Sequence, residues 1–500
     1  MRVTNQMVTS GSLRNMQKSM QRVNDLNQQV TTGKKISAPS DDPVIAIRAL
    51  KLRTTCDQLT QFKNKNVQDA KSWVDTTQSS IQNVFDRLQD VYYYCVEGAN
   101  DPFQSKDRKT VINELQSLKD AIYREGSSTY AGRYLFSGYK TETNLVFQDE
   151  QARKGISYDI TENISPRAFE ERNVVLNEIK ADDLDAYLDG SRDYEIPEQQ
   201  GVYRIRLAYN NLSSGSITIK MTSADDQESY IQATTLKTTE ADEYYKLGDN
   251  DVHFIPETGE LIFGKDVYNS IKNARNIEVN YSKANFAVGD LRPEMYFDCT
   301  MHKRQLDGTI KDTSFVMNPG GQKIQYEVNF NQYITVNAEG NEFITHDMGN
   351  KIADLARAVQ DVQDVEDNIA RLKTMREDPQ YMNRQEAVER IDRMLEDANT
   401  ELAMKSESMQ KLFGNNMTNF QNFMEDVGTV QARVATTYSK LELIETRVTE
   451  QLANFRELKS SNEDVETEEA AIEMYQAELV YEAALSTTAS VIKKTLLDYL

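Results

Sequence analysis

Basic charge, cysteine, proline and long apolar runs are all scarce in this chain of 500 residues, and each scarcity removes a class of protein. Lysine and arginine number 57 against 79 acidic residues, a formal net charge of -22. Nucleic-acid affinity rests on basic side chains neutralising backbone phosphates, so no nucleic-acid partner is expected. The three cysteines, Cys56, Cys95 and Cys299, lie far apart, and an odd number leaves at least one unable to pair within the chain. Disulfides are therefore not expected to staple the fold. The longest near-apolar stretches, 44–52 and 91–96, fall far short of the roughly 20 residues that cross a bilayer, so no membrane partner is expected. Arg2 is followed by Thr4, Asn5 and Gln6 instead of an apolar core, so a cleavable leader is not expected either. That leaves open export by a route needing no cleavable signal.

Chemistry-bearing motifs are equally thin. His253, His302 and His346 are scattered, and none belongs to H-E-x-x-H. Asp249-Asn-Asp251 lacks the glycine and the later glutamate of a calcium loop, and no phosphate-cradling G-x-x-x-x-G-K-[ST] occurs. No catalytic residue, cofactor or metal ligand is assigned, and the chain reads as a non-enzyme.

What the sequence does contain is periodicity. No proline stands between Pro43 and Pro102 or after Pro379, whereas Pro166, Pro197, Pro256, Pro293 and Pro319 occupy the middle, so long helices are permitted only towards the two ends. Val67, Ala70, Val74, Thr77, Ile81, Val84, Leu88, Val91 and Cys95 alternate steps of three and four, the pattern of a coiled-coil seam. A helix starting at Pro43 and ending by Gly98 spans roughly 80 Å at about 1.5 Å per residue. Ser40, Asp41 and Asp42 offer acceptors to its first turn, and Pro43 suits the first helical position. Val111, Leu115, Leu118 and Ile122 predict a second helix. Upstream, Leu13, Met16, Met20, Val23, Leu26 and Val30 form a narrow stripe that Gly33 is placed to end. Half of residues 1–32 are Ser, Thr, Asn or Gln, so this helix buries little by itself and orders only against a partner. Similar stripes run through Val430, Val434, Leu441, Ile444 and Val448, then through Ala477, Val480, Ala484 and Val491.

The middle alternates with the period of strands. Such runs appear at 202–209, 216–221, 252–255, 261–263, 277–281 and 324–336, with a turn signal at Glu257-Thr-Gly-Glu260. Helical spacing resumes at Ile352, Leu355, Val359 and Val362, breaks at Asp378-Pro379, and returns at Val388, Ile391 and Leu395. The fold class is mainly α with a β-rich insertion. The organisation expected is terminal coiled-coil segments at 1–42 and 466–500, a helical bundle from 43–140 and 410–465, a β-rich outer domain at 141–349 and a helical hairpin at 350–409.

TGKKISAPSDDPV at residues 32–44 and YLFSGY at 134–139 resemble the signatures of bacterial flagellins and flagellar hook-associated proteins. MRVTNQM at 1–7, LLDYL at 496–500 and GDLRPEMYFDC at 289–299 are more similar to the hook-filament junction type, hook-associated protein type 3, than to filament flagellin. The resemblance implies a flagellin-like fold with paired terminal helices, secretion without a cleavable signal through the flagellar type III export apparatus, and an extracellular place at the hook-filament junction. The partners it implies are further copies of the chain in a ring, the first junction protein, flagellin, and a cytoplasmic export chaperone at the C-terminal helix. Filament flagellin is the alternative. Because the terminal stripes are thin and the resemblance supplies a polymer, Met7, Leu13, Met16, Met20 and Val23, with Val480, Ala484, Val491 and Leu496, are expected to pack subunit on subunit. Ser40, Asp41, Asp42 and Pro43 are expected to set the angle between terminal helix and bundle.

Overall fold

The computed structural model describes residues 5–100, 105–148, 154–215, 217–223, 225–236, 241–305, 308–318 and 321–492. The long helices are α1 (Asn5–Thr32), α2 (Pro43–Gln61), α3 (Val67–Asn100), α4 (Ser105–Glu125), α5 (His346–Glu377), α6 (Gln385–Glu463) and α7 (Thr467–Ile492). The strands are β1 (Thr129–Tyr130), β2 (Arg133–Tyr134), β3 (Ile156–Ile164), β4 (Glu170–Leu176), β5 (Glu198–Arg206), β6 (Ile217–Thr222), β7 (Glu228–Thr235), β8 (Val252–Ile255), β9 (Glu260–Phe263), β10 (Asn276–Lys283), β11 (Asp298–Arg304), β12 (Ile310–Phe315), β13 (Gln325–Asn329) and β14 (Gln332–Thr335). The expected class, mainly α with a β-rich insertion, is the one observed. Two compact units result. One holds the described residues through Lys71, Tyr326–Ile334 and those from Ser439 onward, and the other holds the rest.

In the larger unit, β12-β11-β3-β10-β6-β7-β8-β9-β5-β4 form one sheet, antiparallel except where β7 meets β8. The sequence of β3, ISYDITENI, alternates, and its inward residues Ile156, Tyr158, Ile160 and Ile164 join Ile219, Ile277, Val279, Leu261 and Phe263 in the main core. Gly259 makes the β8–β9 turn possible: its φ is +70°, and a Cβ there would stand 2.1 Å from the Tyr209 carbonyl. The segment from Tyr134 folds into a buried turn in which Phe136 meets the Phe343 ring edge-on at 4.9 Å and its carbonyl accepts from the Gly340 amide. The predicted seam on α3 is buried at every position from Val67 to Cys95. Thr77, its one hydroxyl, donates to the Trp73 carbonyl one turn back at 2.8 Å. α4 packs on α5, and α5 and α6 enclose Ile179, Leu184 and Tyr187 beside Leu372, Ile391 and Met394. No break in the helix marks the 409/410 boundary drawn from the sequence, because α6 passes through it.

The run at 324–336 is not one strand of the main sheet. Asn331 takes a positive φ of 53°, and the chain turns back there, making the separate hairpin β13–β14. This hairpin sits in the smaller unit, where Phe330 meets Phe62 edge-on at 5.3 Å and the Asn66 amide donates to the Glu327 carbonyl at 2.8 Å. Phe62–Asn66 forms a π-helical bulge between α2 and α3.

Candidate assembly surface

The smaller unit is organised where two linkers cross. Gly33 ends α1 with a left-handed φ of 67°, and its amide returns to the Gln29 carbonyl at 2.8 Å. The next residues pair with the chain leaving α6: the Lys35 amide donates to the Glu463 carbonyl at 2.7 Å, and the Val465 amide to the Gly33 carbonyl at 3.0 Å. Glu463 has 3% of its side chain exposed and accepts a two-pronged bond from Arg53 on α2, both prongs 2.7 Å. Arg53, with Lys34 nearby, holds that carboxyl below the usual range. Lys34 also pairs with Asp464. Asn462 donates to the Ile45 carbonyl at 3.2 Å, fixing the start of α2 to the same point.

The turn before α2 divides its labour differently from the expected reading. Asp42 alone caps the helix, accepting from the amides of Val44 and Ile45 at 2.9 and 3.1 Å, and Pro43 takes the first helical position. Asp41 instead folds back on the loop, accepting from the Ser37 and Ala38 amides, and Ser40 donates to Asp41 at 3.4 Å. Ser40 and Asp41 thus shape the loop and leave the helix amides to Asp42.

From this crossing α1 and α7 run side by side in opposite directions. Their shared seam buries Leu26, Ala470, Ala477 and Thr488, mostly small residues that allow close approach and bury little area. The larger apolar residues stay in solvent. Met7, Met20 and Val480 are 63%, 54% and 59% exposed, and Leu13 is 38% exposed. Met16, Val23 and Ala484 are half-buried. Val491 lies in α7, and Leu496 falls outside the described residues. The structure adds residues that the sequence reading passed over. Ile472, Tyr475 and Leu479 stand exposed on one face of α7, and Val44, Ile47 and Leu50 at steps of three on α2. Their spacing of three and four residues was the available signal, on a face separate from the seam.

The larger unit holds a cleft of about 1180 Å3, lined among others by Glu162, Arg204, Arg206, Lys351 and Lys405. The cations Arg204, Arg206, Lys351 and Lys405 each reach a carboxylate. Arg204 on β5 reaches Glu170 on β4 at 2.8 Å, Glu260 on β9 at 2.5 Å and Asp354 on α5 at 2.5 Å, while Arg206 joins Asp354 and Lys351 joins Glu170. This network fastens the sheet to α5. Among the described residues no group of three or more His, Cys, Asp or Glu is placed to hold a metal ion, and no helix is long and apolar enough to cross a membrane.

Comparison with known proteins places these features. Residues 3–141 match the bacterial flagellin N-terminal helical region. The flagellar hook-associated protein 3 of Salmonella typhimurium is 28% identical over 165 residues, which are 33% of this chain and 52% of that protein. That of Escherichia coli is 29% identical over 154 residues, 31% of this chain and 48% of that protein. The chain therefore spans about half the length of the curated relatives it matches. A crystal structure of the flagellar junction protein FlgL from Legionella pneumophila aligns over 80% of this chain and 99% of its own at 12% identity, with a TM-score of 0.29, too low for any conclusion to rest on it. The N-terminal helical region of this chain is thus similar to that of the bacterial flagellins, and the chain resembles the flagellar hook-associated proteins of type 3.

Proposed function

We propose that this chain is a non-enzymatic structural subunit of the bacterial flagellum that forms the junction between hook and filament, polymerising outside the cell through its paired terminal helices. The observation that carries the reading is the state of α1 and α7. They are pinned at one crossing, share a seam of small residues, and leave Met7, Met20, Leu479 and Val480 uncovered. Contiguous exposed apolar faces mark surfaces that another protein covers. Burying one such side chain contributes on the order of 1.5–3 kcal/mol, so a handful covered by each neighbour gives every subunit contact a sizeable favourable term. In this reading residues 1–42 and 466–500 polymerise, 43–140 and 410–465 form the bundle, 141–349 face outward, and 350–409 extend the bundle. Its neighbours are its own copies, the first junction protein and flagellin.

Export as an unfolded chain, escorted by a cytoplasmic chaperone on the C-terminal helix, is part of the same proposal. Cys56, Cys95 and Cys299 are buried free thiols, so no disulfide among them opposes threading. Filament flagellin remains the competing reading, supported by the match of residues 3–141 to the flagellin N-terminal region. A strain lacking this protein separates the two. Bare hooks with unassembled flagellin in the medium are the expected result, because export continues with nothing to polymerise upon. Hooks with little released flagellin make this chain the filament protein, and normal filaments overturn both readings.

A further inference from the structure

At one end of the ten-stranded sheet a histidine bridges three strands. His302 on β11 stands between β3 and β12, its Nδ1 2.8 Å from an Asp312 carboxylate oxygen on β12 and its Nε2 3.0 Å from Asp159 on β3. Asp159 accepts in turn from the Ser282 hydroxyl on β10 at 2.6 Å, so a polar chain of Ser282, Asp159, His302 and Asp312 crosses four strands. Ionised carboxylates only accept hydrogen bonds. Both ring nitrogens must therefore donate for both bonds to exist, and that requires the imidazolium.

β12 depends on this chain because it is an edge strand, hydrogen-bonded on one side to β11. Its far end has an anchor: Phe315 is half-buried, packs against the main core, and lies under the Lys140 ammonium, 3.7 Å from the ring centroid. Its near end is closed by the β11–β12 turn, where the Gln305 amide donates to the Thr309 carbonyl at 2.8 Å, but it has no apolar anchor among the described residues. Ile310 is exposed, and Lys311 sits directly opposite Lys303, a like-charge pair that opposes the pairing. The charged groups around the ring are Asp159 on β3, Asp312 and Lys311 on β12, and Lys303 and Arg304 on β11 itself; β10 contributes the Ser282 hydroxyl.

We propose that His302 is a pH-operated latch that holds the near end of the edge strand β12 to β11 and β3 when protonated and releases it when neutral. Hydrogen bonds to Asp312, then to Asp159, raise the proton affinity of the ring above that of an ordinary histidine. The contribution is therefore complete below the ordinary imidazole range and is lost as pH rises through the raised value. Once neutral, one ring nitrogen presents a lone pair to a carboxylate, and the Lys303–Lys311 repulsion acts unopposed. Residues 310–312 then leave β11, whose freed backbone groups become available for pairing.

Amide hydrogen exchange on the full chain, corrected for the intrinsic dependence of exchange on pH, tests the latch. Protection of residues 310–313 is expected to be about tenfold greater near pH 5.5 than near pH 8.5, with β10 unchanged. His302→Gln is expected to exchange quickly at both, and Asp312→Asn to lower the titration midpoint of the ring followed by NMR. Equal protection at both pH values in the native chain overturns the proposal. So does a His302 ring that titrates at or below the midpoint of a free histidine, a result that needs no variant to fold.

Discussion

The seam along α3 and the seam between α1 and α7 share a helical period and end in opposite states. On α3, nine positions from Val67 to Cys95 are sealed at 1% exposure or less, covered by the chain's own side chains. Between α1 and α7 the sealed positions include Leu26, Ala470, Ala477 and Thr488, and Met7, Met20, Leu479 and Val480 face solvent. Period decides which residues can share a face, and apolar mass decides whether one chain can cover that face alone. α3 carries valine, leucine and isoleucine at successive steps, and Gln421 and Gln431 of α6 donate to Tyr92 and Gln82 on it. The terminal pair meets alanines. The first is covered within the chain, and the second leaves several of its apolar residues in solvent.

Attacking the finished region should produce the largest losses. Burial by itself pushes the Asp354 carboxyl up, and the Arg204 and Arg206 guanidiniums overcome it and hold that group far below the usual carboxylate range. Replacing Arg204 with Met leaves Asp354 and Glu260 buried without their shared cation, and a loss of about 3–5 kcal/mol in chemical denaturation is expected. The native chain should keep this contribution above about pH 4 and lose it on further acidification.

A smaller effect of opposite sign comes from Glu162 in the same unit. Burial pushes its carboxyl up to about 7, against the Tyr281 hydroxyl at 2.7 Å and the Ala208 amide at 3.0 Å that donate to it. A raised carboxyl favours the folded state most in acid, below the ordinary value near 4.5, and that advantage disappears as pH rises to about 7. Glu162→Gln should remove this decline, on the order of 3 kcal/mol between roughly pH 4.5 and 7.5, in melts recorded across the range.

In the terminal region single changes should matter less to the monomer. Asp42→Ala removes the only observed side-chain cap of α2 and is expected to cost about 1 kcal/mol, seen as faster amide exchange at Val44 and Ile45. Ser40→Ala, which the sequence grouped with it, should stay within about 0.5 kcal/mol of the parent. Equal losses for the two would return Ser40 to the cap.

What could be read in advance follows the same division. Helices with one dominant apolar face, α3 and α5, were visible because their periodicity is unbroken. β5, β6, β8, β9 and β10 were visible because isoleucine, valine and phenylalanine alternate in them. β3 was missed because Glu162 interrupts its inward face, and only the Tyr281 hydroxyl and Ala208 amide make a carboxyl tolerable there. β11 and β12 were missed because DCTMHKR and IKDTSF are largely polar, as suits strands at the sheet margin. The Arg204 network joins residues up to 184 positions apart, from Glu170 to Asp354, and in sequence each looks like a solvated surface charge. At the candidate surface the residues expected on α1 are exposed or half-buried, while on α7 the Ile472, Tyr475 and Leu479 face was passed over for the neighbouring Val480 and Ala484.

The central claim is that the apolar faces of α1 and α7 are unfinished in one chain and completed by a neighbour. The most direct measurement pairs thermal melting of purified Ile472→Asp/Leu479→Asp protein with its incorporation at the hook tip in a strain lacking the native chain. The account predicts stability within about 0.5 kcal/mol of the parent and no incorporation. Normal incorporation, or a monomer that loses several kcal/mol, would contradict it.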